Sequence, residues 1–323
     1  MRNSCCEKST NRTFSLILLA CLMFLMLSTS NAHAHDTHKE HKLVIGVVSN
    51  KAKTYLRQTY PLAIYLSEHL EKFGINSVEV RVNGSQEQMG EWLQSGEVDI
   101  VTETIFSALT LQKEYGAKME LLRWEKGVDQ YHSVFFTHQE SGIDNLNDLK
   151  GKVIAFEDKG STSSYFIPVA TLINNEFKLN KLRSVQDTVK HDEIGYVFVK
   201  DQLIRASEKS ISSWVYRKQV DAGVFSNHDW EDPAIVPPSY KRKLKVIHRS
   251  IPVPRSIILY SPRLTGPIKE EITSVLLNAH KTANGKSALE AFQETKKFEP
   301  LNERSELFTP IEKLHEIVVE TIY

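Results

Sequence analysis

The chain has 323 residues, 41% of them apolar and 25% charged, enough to bury a sizeable core and too balanced for a disordered or collagenous polypeptide. Lys plus Arg and Asp plus Glu both total 40, which excludes the cationic surplus of a protein whose main partner is a nucleic-acid backbone.

In chain order, Arg2, Lys8 and Arg12 precede an apolar run over residues 14–27 that ends near Ala32-His33-Ala34, the layout of a secretory signal over residues 1–34. The run is shorter than the ~20 residues of a bilayer span, and no second such run follows. Cleavage after Ala34 leaves 323 − 34 = 289 residues, with 37 basic against 39 acidic. Cys5, Cys6 and Cys21 all lie in the signal, so the exported chain has no thiol to oxidise and depends on packing for stability. Leu18-Leu19-Ala20-Cys21 also loosely resembles a lipidation site, which would anchor the chain at Cys21 instead.

Residues 35–41 form a histidine-rich, polar tail with His35, His38 and His41. An apolar strand is expected at 43–48, then a helix from Tyr60 whose apolar positions 62, 65, 66, 70 and 73 share one face and which Gly74 closes. A strand at 78–82, a helix at 86–94, a strand at 98–101, a helix at 106–115 ended by Gly116 and a strand at 121–124 follow. This alternation implies a mostly parallel sheet flanked by helices, since parallel neighbours need a crossover long enough to hold a helix. A second α/β unit is expected from strands at 131–137, 152–156, 196–198 and 220–225, with helices at 146–149, from 161 and at 207–216. After Pro237-Pro238 and the basic run 241–245 come a strand at 256–260 and helices at 268–280, 288–295 and 311–322. Three helices without strands form no lobe of their own. The reading is therefore a first lobe of residues 42–130 plus 252–323, a second of 131–251, two hinge crossings and a cleft between them, where ligands of α/β folds sit.

The most informative segment is KVIAFEDKGSTSSYFIP, residues 152–168: a strand, a glycine turn, four hydroxyl residues and an apolar helix. A helix start presents unpaired N–H groups and the positive end of a dipole, and Ser161, Thr162, Ser163 and Ser164 add hydroxyl donors. Pro168 cannot donate to the carbonyl four residues back, so more than helix propensity shapes this start. The alternative is that one hydroxyl caps the helix and the rest face water.

The chain resembles the phosphate, phosphite and phosphonate type of periplasmic substrate-binding protein that feeds ABC importers. The resemblance rests on LVIGVVSN (43–50), PLAIYL (61–66), GEVDIV (96–101), residues 141–168, VDAGV (220–224) and FQETKKFEPL (292–301). It implies the two-lobed type II periplasmic binding fold, no cofactor, no catalysis, a monomer, and an oxyanion held by Ser161, Thr162 and Ser163. The family's second contact, a Gly-Pro turn followed by a tyrosine, is replaced here by Glu103-Thr104-Ile105-Phe106-Ser107-Ala108. A histidine usual before the Val-Asp-Ala-Gly stretch is also missing, with Glu208 and Lys209 in its region. Phosphonate specificity therefore does not carry over. Two acidic residues in these places suggest a ligand with a cationic group besides its anion, because a buried carboxylate needs a partner; alternatively Glu103 and Glu208 are solvated at the rim. Tyr55, Thr104, Ser107, Tyr131, Ser133, Asn227 and Glu103 are secondary contacts expected at turns or strand ends facing the cleft.

The tail offers His35, His38 and His41 for Zn²⁺ or Cu²⁺, but their spacing fits no closed structural site, and a solvated tail is the plainer reading. No Gly-X-Ser-X-Gly turn, His-Glu-X-X-His helix or phosphate-binding Gly-X-X-X-X-Gly-Lys loop supports an enzyme. The expected partners are a small anionic or zwitterionic solute and a membrane permease, or, in the competing reading, a membrane sensor kinase or cyclase.

Overall fold

A computed structural model describes residues 42–322; the signal, its alternative lipidation site and the histidine tail lie outside the described residues. Two six-stranded sheets organise the chain. In spatial order the first contains Phe298–Pro300, Lys118–Arg123, Ser256–Tyr260, Ile100–Glu103, Leu43–Val48 and Val78–Asn83. The second contains Leu244–Arg249, Ser133–His138, Ala222–Ser226, Val153–Phe156, Glu193–Phe198 and Lys178–Lys181. Leu43–Val48 is parallel to both its neighbours, and Ala222–Ser226, Val153–Phe156, Glu193–Phe198 and Lys178–Lys181 run parallel to one another. Antiparallel pairing enters at Ser256–Tyr260, Phe298–Pro300 and Ser133–His138. This is the two-lobed α/β periplasmic binding architecture.

The inner parallel strands read as near-continuous apolar runs because helices cover both their faces, whereas the parallel edge strands Val78–Asn83 and Lys178–Lys181 do not. Val153–Phe156 and Ala222–Ser226 are buried along their whole length. Gly74 and Gly116 end their helices with φ of 76° and 71°, the left-handed geometry in which a side chain would be strained. The two chain crossings, Gln130–Tyr131 and Val253–Pro254, pair with each other as a short antiparallel ribbon.

The helix expected from Tyr60 begins at Ala52. Its first two turns are solvated apart from Tyr55 and Gln58, so they carry no apolar face to read. The helix expected at 288–295 runs instead over Ala283–Ala291, started by the Thr282 side chain, which accepts from the N–H of Gly285. Of the C-terminal helices, Gly266–Asn278 and Ala283–Ala291 pack on Ala52–Leu70. The last, Thr309–Ile322, lies against Ile167–Asn174 of the second lobe and Ile105–Tyr115 of the first. There the buried His315 is 3.2 Å from the Thr110 hydroxyl and 5.6 Å from the Phe106 ring.

Candidate functional site

The buried strand Val153–Phe156 delivers the chain to a turn in which the Asp158 carboxylate accepts from the N–H of Gly160 (2.7 Å). Ser161 then caps the helix, its hydroxyl accepting from the N–H of Ser164 (3.2 Å). The first turn, Thr162–Phe166, is a π-turn, closed by the Phe166 N–H on the Ser161 carbonyl (3.0 Å), before the α-helix Ile167–Asn174. In a π-turn the Ser163 carbonyl would take the N–H of residue 168, which Pro168 lacks. The Ser133 hydroxyl replaces it, donating to that carbonyl at 2.7 Å. Ser164 is a brace of the same kind, donating to the Val224 carbonyl (2.5 Å) and accepting from the N–H of Glu157 (3.0 Å).

The hydroxyls therefore divide. Ser161, Ser164 and Ser133 are engaged in building the turn, while Thr162, 3% exposed, reaches across to the other lobe and donates to Thr104 Oγ1 at 2.7 Å. Ser163 follows it at the same helix start. Thr104 is itself the residue before the helix Ile105–Tyr115 and does not cap it with its side chain. Two helix starts, one from each lobe, thus meet at the Thr104–Thr162 bridge, and the first-turn N–H groups of a helix have no partner within it.

Other expected contacts sit around this bridge in different roles. The Tyr131 hydroxyl, in the hinge ribbon and beside Thr162, is buried without a well-formed hydrogen bond, and burial pushes it up to about 12. Tyr55 lies near Gln293 and the charges of Glu125 and Glu103; burial first, then those charges, raise it. Ser107 donates to Gln86 Oε1 at 3.1 Å. Asn227 accepts from the N–H of His132 (2.9 Å) and gives its own N–H to the His132 carbonyl (2.9 Å), fixing a helix start to the hinge strand.

Glu103 is the most perturbed group at the seam. Burial raises its carboxyl to about 8; the N–H of Thr104 and the Ser107 hydroxyl oppose this, and the Glu125 charge adds to it. On the second lobe Glu208 is raised to about 7, first by burial and then by the charges of Glu157 and Asp229. The cations nearby are engaged, except for the Nε of Arg255. Arg123, 1% exposed, donates to Thr102, Thr295, Gln293 and the Phe292 carbonyl at 2.9–3.2 Å, with its guanidinium 4.0 Å from the Phe292 ring centroid. Arg255 pairs with Glu125 and lies 4.8 Å from the Tyr131 ring centroid, while Lys200 pairs with Glu157 (3.1 Å) and with Asp158.

Arg123, Glu125, Arg255 and His228 were not among the residues expected from sequence. His228 Nε2 and Arg255 Nε are buried without partners, and burial, then Arg255, holds His228 below its ordinary value. A charged residue ending an apolar strand is the one local signal, and Arg123 shows it.

The family model described as "ABC transporter, phosphonate, periplasmic substrate-binding protein" matches residues 45–306. The phosphonates-binding periplasmic protein of Escherichia coli K12 is 24% identical over 287 residues, covering 84% of this chain and 76% of that protein. XAC2383 from Xanthomonas citri, solved bound to ATP, superposes with a TM-score of 0.80 at 27% identity over 87% of this chain and 99% of that one. PhnD1 from Prochlorococcus marinus, solved with methylphosphonate, shares the fold with a TM-score of 0.61 at 16% identity, covering 86% of this chain and 98% of that one.

Proposed function

The chain belongs to the phosphonate type of periplasmic substrate-binding proteins of ABC transporters, and from that premise we propose that it captures a small zwitterion, an anion carrying a nearby ammonium group. As a member of this family it is a periplasmic binding component that delivers an anionic solute to an ABC permease and catalyses no reaction. Residues 1–34 fit a cleaved leader that would export it.

The anion is assigned to the two facing helix starts, with Thr162 and Ser163 on one side and Thr104 on the other. A ligand there replaces the Thr104–Thr162 bridge by bonds from both lobes and so stabilises the closed state by its differential affinity. Micromolar capture corresponds to ~8 kcal/mol, and charge-assisted hydrogen bonds of ~1.5–3 kcal/mol each supply a sizeable share of it.

The observation that carries the zwitterion is Glu103. It lies one residue from the bridge, with its carboxyl raised to about 8 by burial and by a like charge, and the arginines nearby are held by other partners. A ligand ammonium provides the missing counter-charge. A polyanion such as the ATP bound by the Xanthomonas relative would bring several negative charges to a seam already ringed by Glu103, Glu125, Glu157 and Asp229.

The experiment is isothermal titration with 2-aminoethylphosphonate, methylphosphonate, inorganic phosphate and ATP. The aminophosphonate is expected to bind at least tenfold more tightly than methylphosphonate. Equal or reversed affinities would overturn the zwitterion reading.

A further inference from the structure

Among the described residues six buried side-chain polar atoms have no hydrogen-bond partner, and three of them belong to Tyr131, His228 and Arg255. These three come together. The Arg255 guanidinium lies 4.8 Å from the Tyr131 ring centroid, and Arg255 carries one of the charges that bear on His228. Tyr131 also neighbours Thr162, so the group adjoins the Thr104–Thr162 bridge.

Three separate segments deliver them. Tyr131 belongs to one chain crossing, Arg255 follows the other, and His228 sits in the short helix Asn227–Glu231, which Asn227 fixes to the hinge strand. Each unpartnered atom is a donor: the phenol O–H, the guanidinium Nε–H and the imidazole Nε2 when it carries the ring proton. A buried donor left unmet costs stability, and a single one is commonly met by water. Three at one seam point to an acceptor brought by the solute.

The charges around them say which acceptor. Arg255, Lys126, Glu125 and Asp229 bear on His228, two of each sign. Arg123 then shares Glu125 with Arg255, at 3.6 Å, and the Asp229 carboxylate already accepts from the Ser226 hydroxyl. The balance is positive. A carboxylate answers it, and its two oxygens offer about four acceptor sites for the three donors.

We propose that Arg255, His228 and Tyr131 form a second anion subsite, which takes a carboxylate of the solute. With the phosphonate at the two helix starts and the ammonium at Glu103, the solute is then a phosphono amino acid. That identification rests on the zwitterion reading above; the carboxylate subsite is measured separately from it.

The test is isothermal titration of the native protein with ethylphosphonate, 2-aminoethylphosphonate, 3-phosphonopropanoate and 2-amino-3-phosphonopropanoate, the last two being the first two with a carboxylate added. Each carboxylated member is expected to bind at least tenfold more tightly than its parent. Arg255→Lys keeps the charge and removes Nε, and His228→Phe keeps a ring and removes Nε2; each should cut that gain at least threefold. Because the gain is a ratio within one protein, a general loss of affinity cancels. Equal or weaker binding of the carboxylated members, or a gain unchanged in either variant, would overturn the subsite and leave the zwitterion reading intact. An ammonium that adds no affinity to either parent would overturn the zwitterion reading alone, since 3-phosphonopropanoate against ethylphosphonate still reads the carboxylate.

Discussion

Glu103 is a titrating group placed where a ligand charge is proposed, so its ionisation is coupled both to folding and to binding. Its folded carboxyl titrates at about 8 against an ordinary value of 4.5, so the folded state holds a proton that the unfolded chain releases. Stability from this group is full below pH 4.5 and is lost as pH rises toward 8; Glu208, raised to about 7, acts in the same direction. The ligand-free melting temperature is therefore expected to fall between pH 5 and 8, and Glu103→Gln to flatten that slope in thermal unfolding. Binding carries the opposite sign. An ammonium group needs the ionised carboxylate, so affinity for 2-aminoethylphosphonate should rise by up to about tenfold per pH unit below 8. Calorimetry read as the difference between the native chain and Glu103→Gln cancels the ligand's own titration. A difference that falls with pH would make Glu103 a neutral donor to a ligand oxygen.

At the scale of an element, the helix start depends on side chains from three separate segments. Thr162→Ala with Ser163→Ala removes hydroxyls without touching the cap, so ligand-induced thermal stabilisation should largely vanish while the ligand-free melting temperature moves by only a few degrees. Ser133→Ala should do something different. It strips the Ser163 carbonyl of the donor that stands in for Pro168, costing about 1–3 kcal/mol of stability, measurable by denaturant unfolding, and weakening binding through the displaced turn. The hydroxyl run at 161–164 was legible because glycine, serine and proline mark a turn locally. Glu125, Arg255 and His228 were not, since chain segments far apart in sequence bring them to one seam. Within the two six-stranded sheets, the strands missed by periodicity were Lys178–Lys181, Leu244–Arg249 and Phe298–Pro300. All three are sheet edges, half-solvated and charged, so neighbouring strands rather than an apolar pattern define them.

Across the whole molecule, the last helix packs against both lobes, adding to the contact between Phe106 and Phe166, whose rings stack at 4.9 Å. Thr309–Ile322 packs against the helix Ile167–Asn174 of one lobe and buries Ile311 and Val318, while its His315 meets Thr110 and Phe106 of the other. Ending the chain after Leu307 should therefore favour the open arrangement, seen as a larger radius of gyration in solution scattering without ligand, and weaken ligand affinity by about tenfold or more. An unchanged radius would show that these contacts do not restrain opening. The paired crossings at Gln130–Tyr131 and Val253–Pro254 constrain what opening can be. Two independent linkers would let the halves slide, tilt and twist separately. A ribbon joined by backbone hydrogen bonds leaves chiefly one soft coordinate, a torsion about its own length, so capture resembles the swing of a single leaf and its relaxation reduces to one time constant.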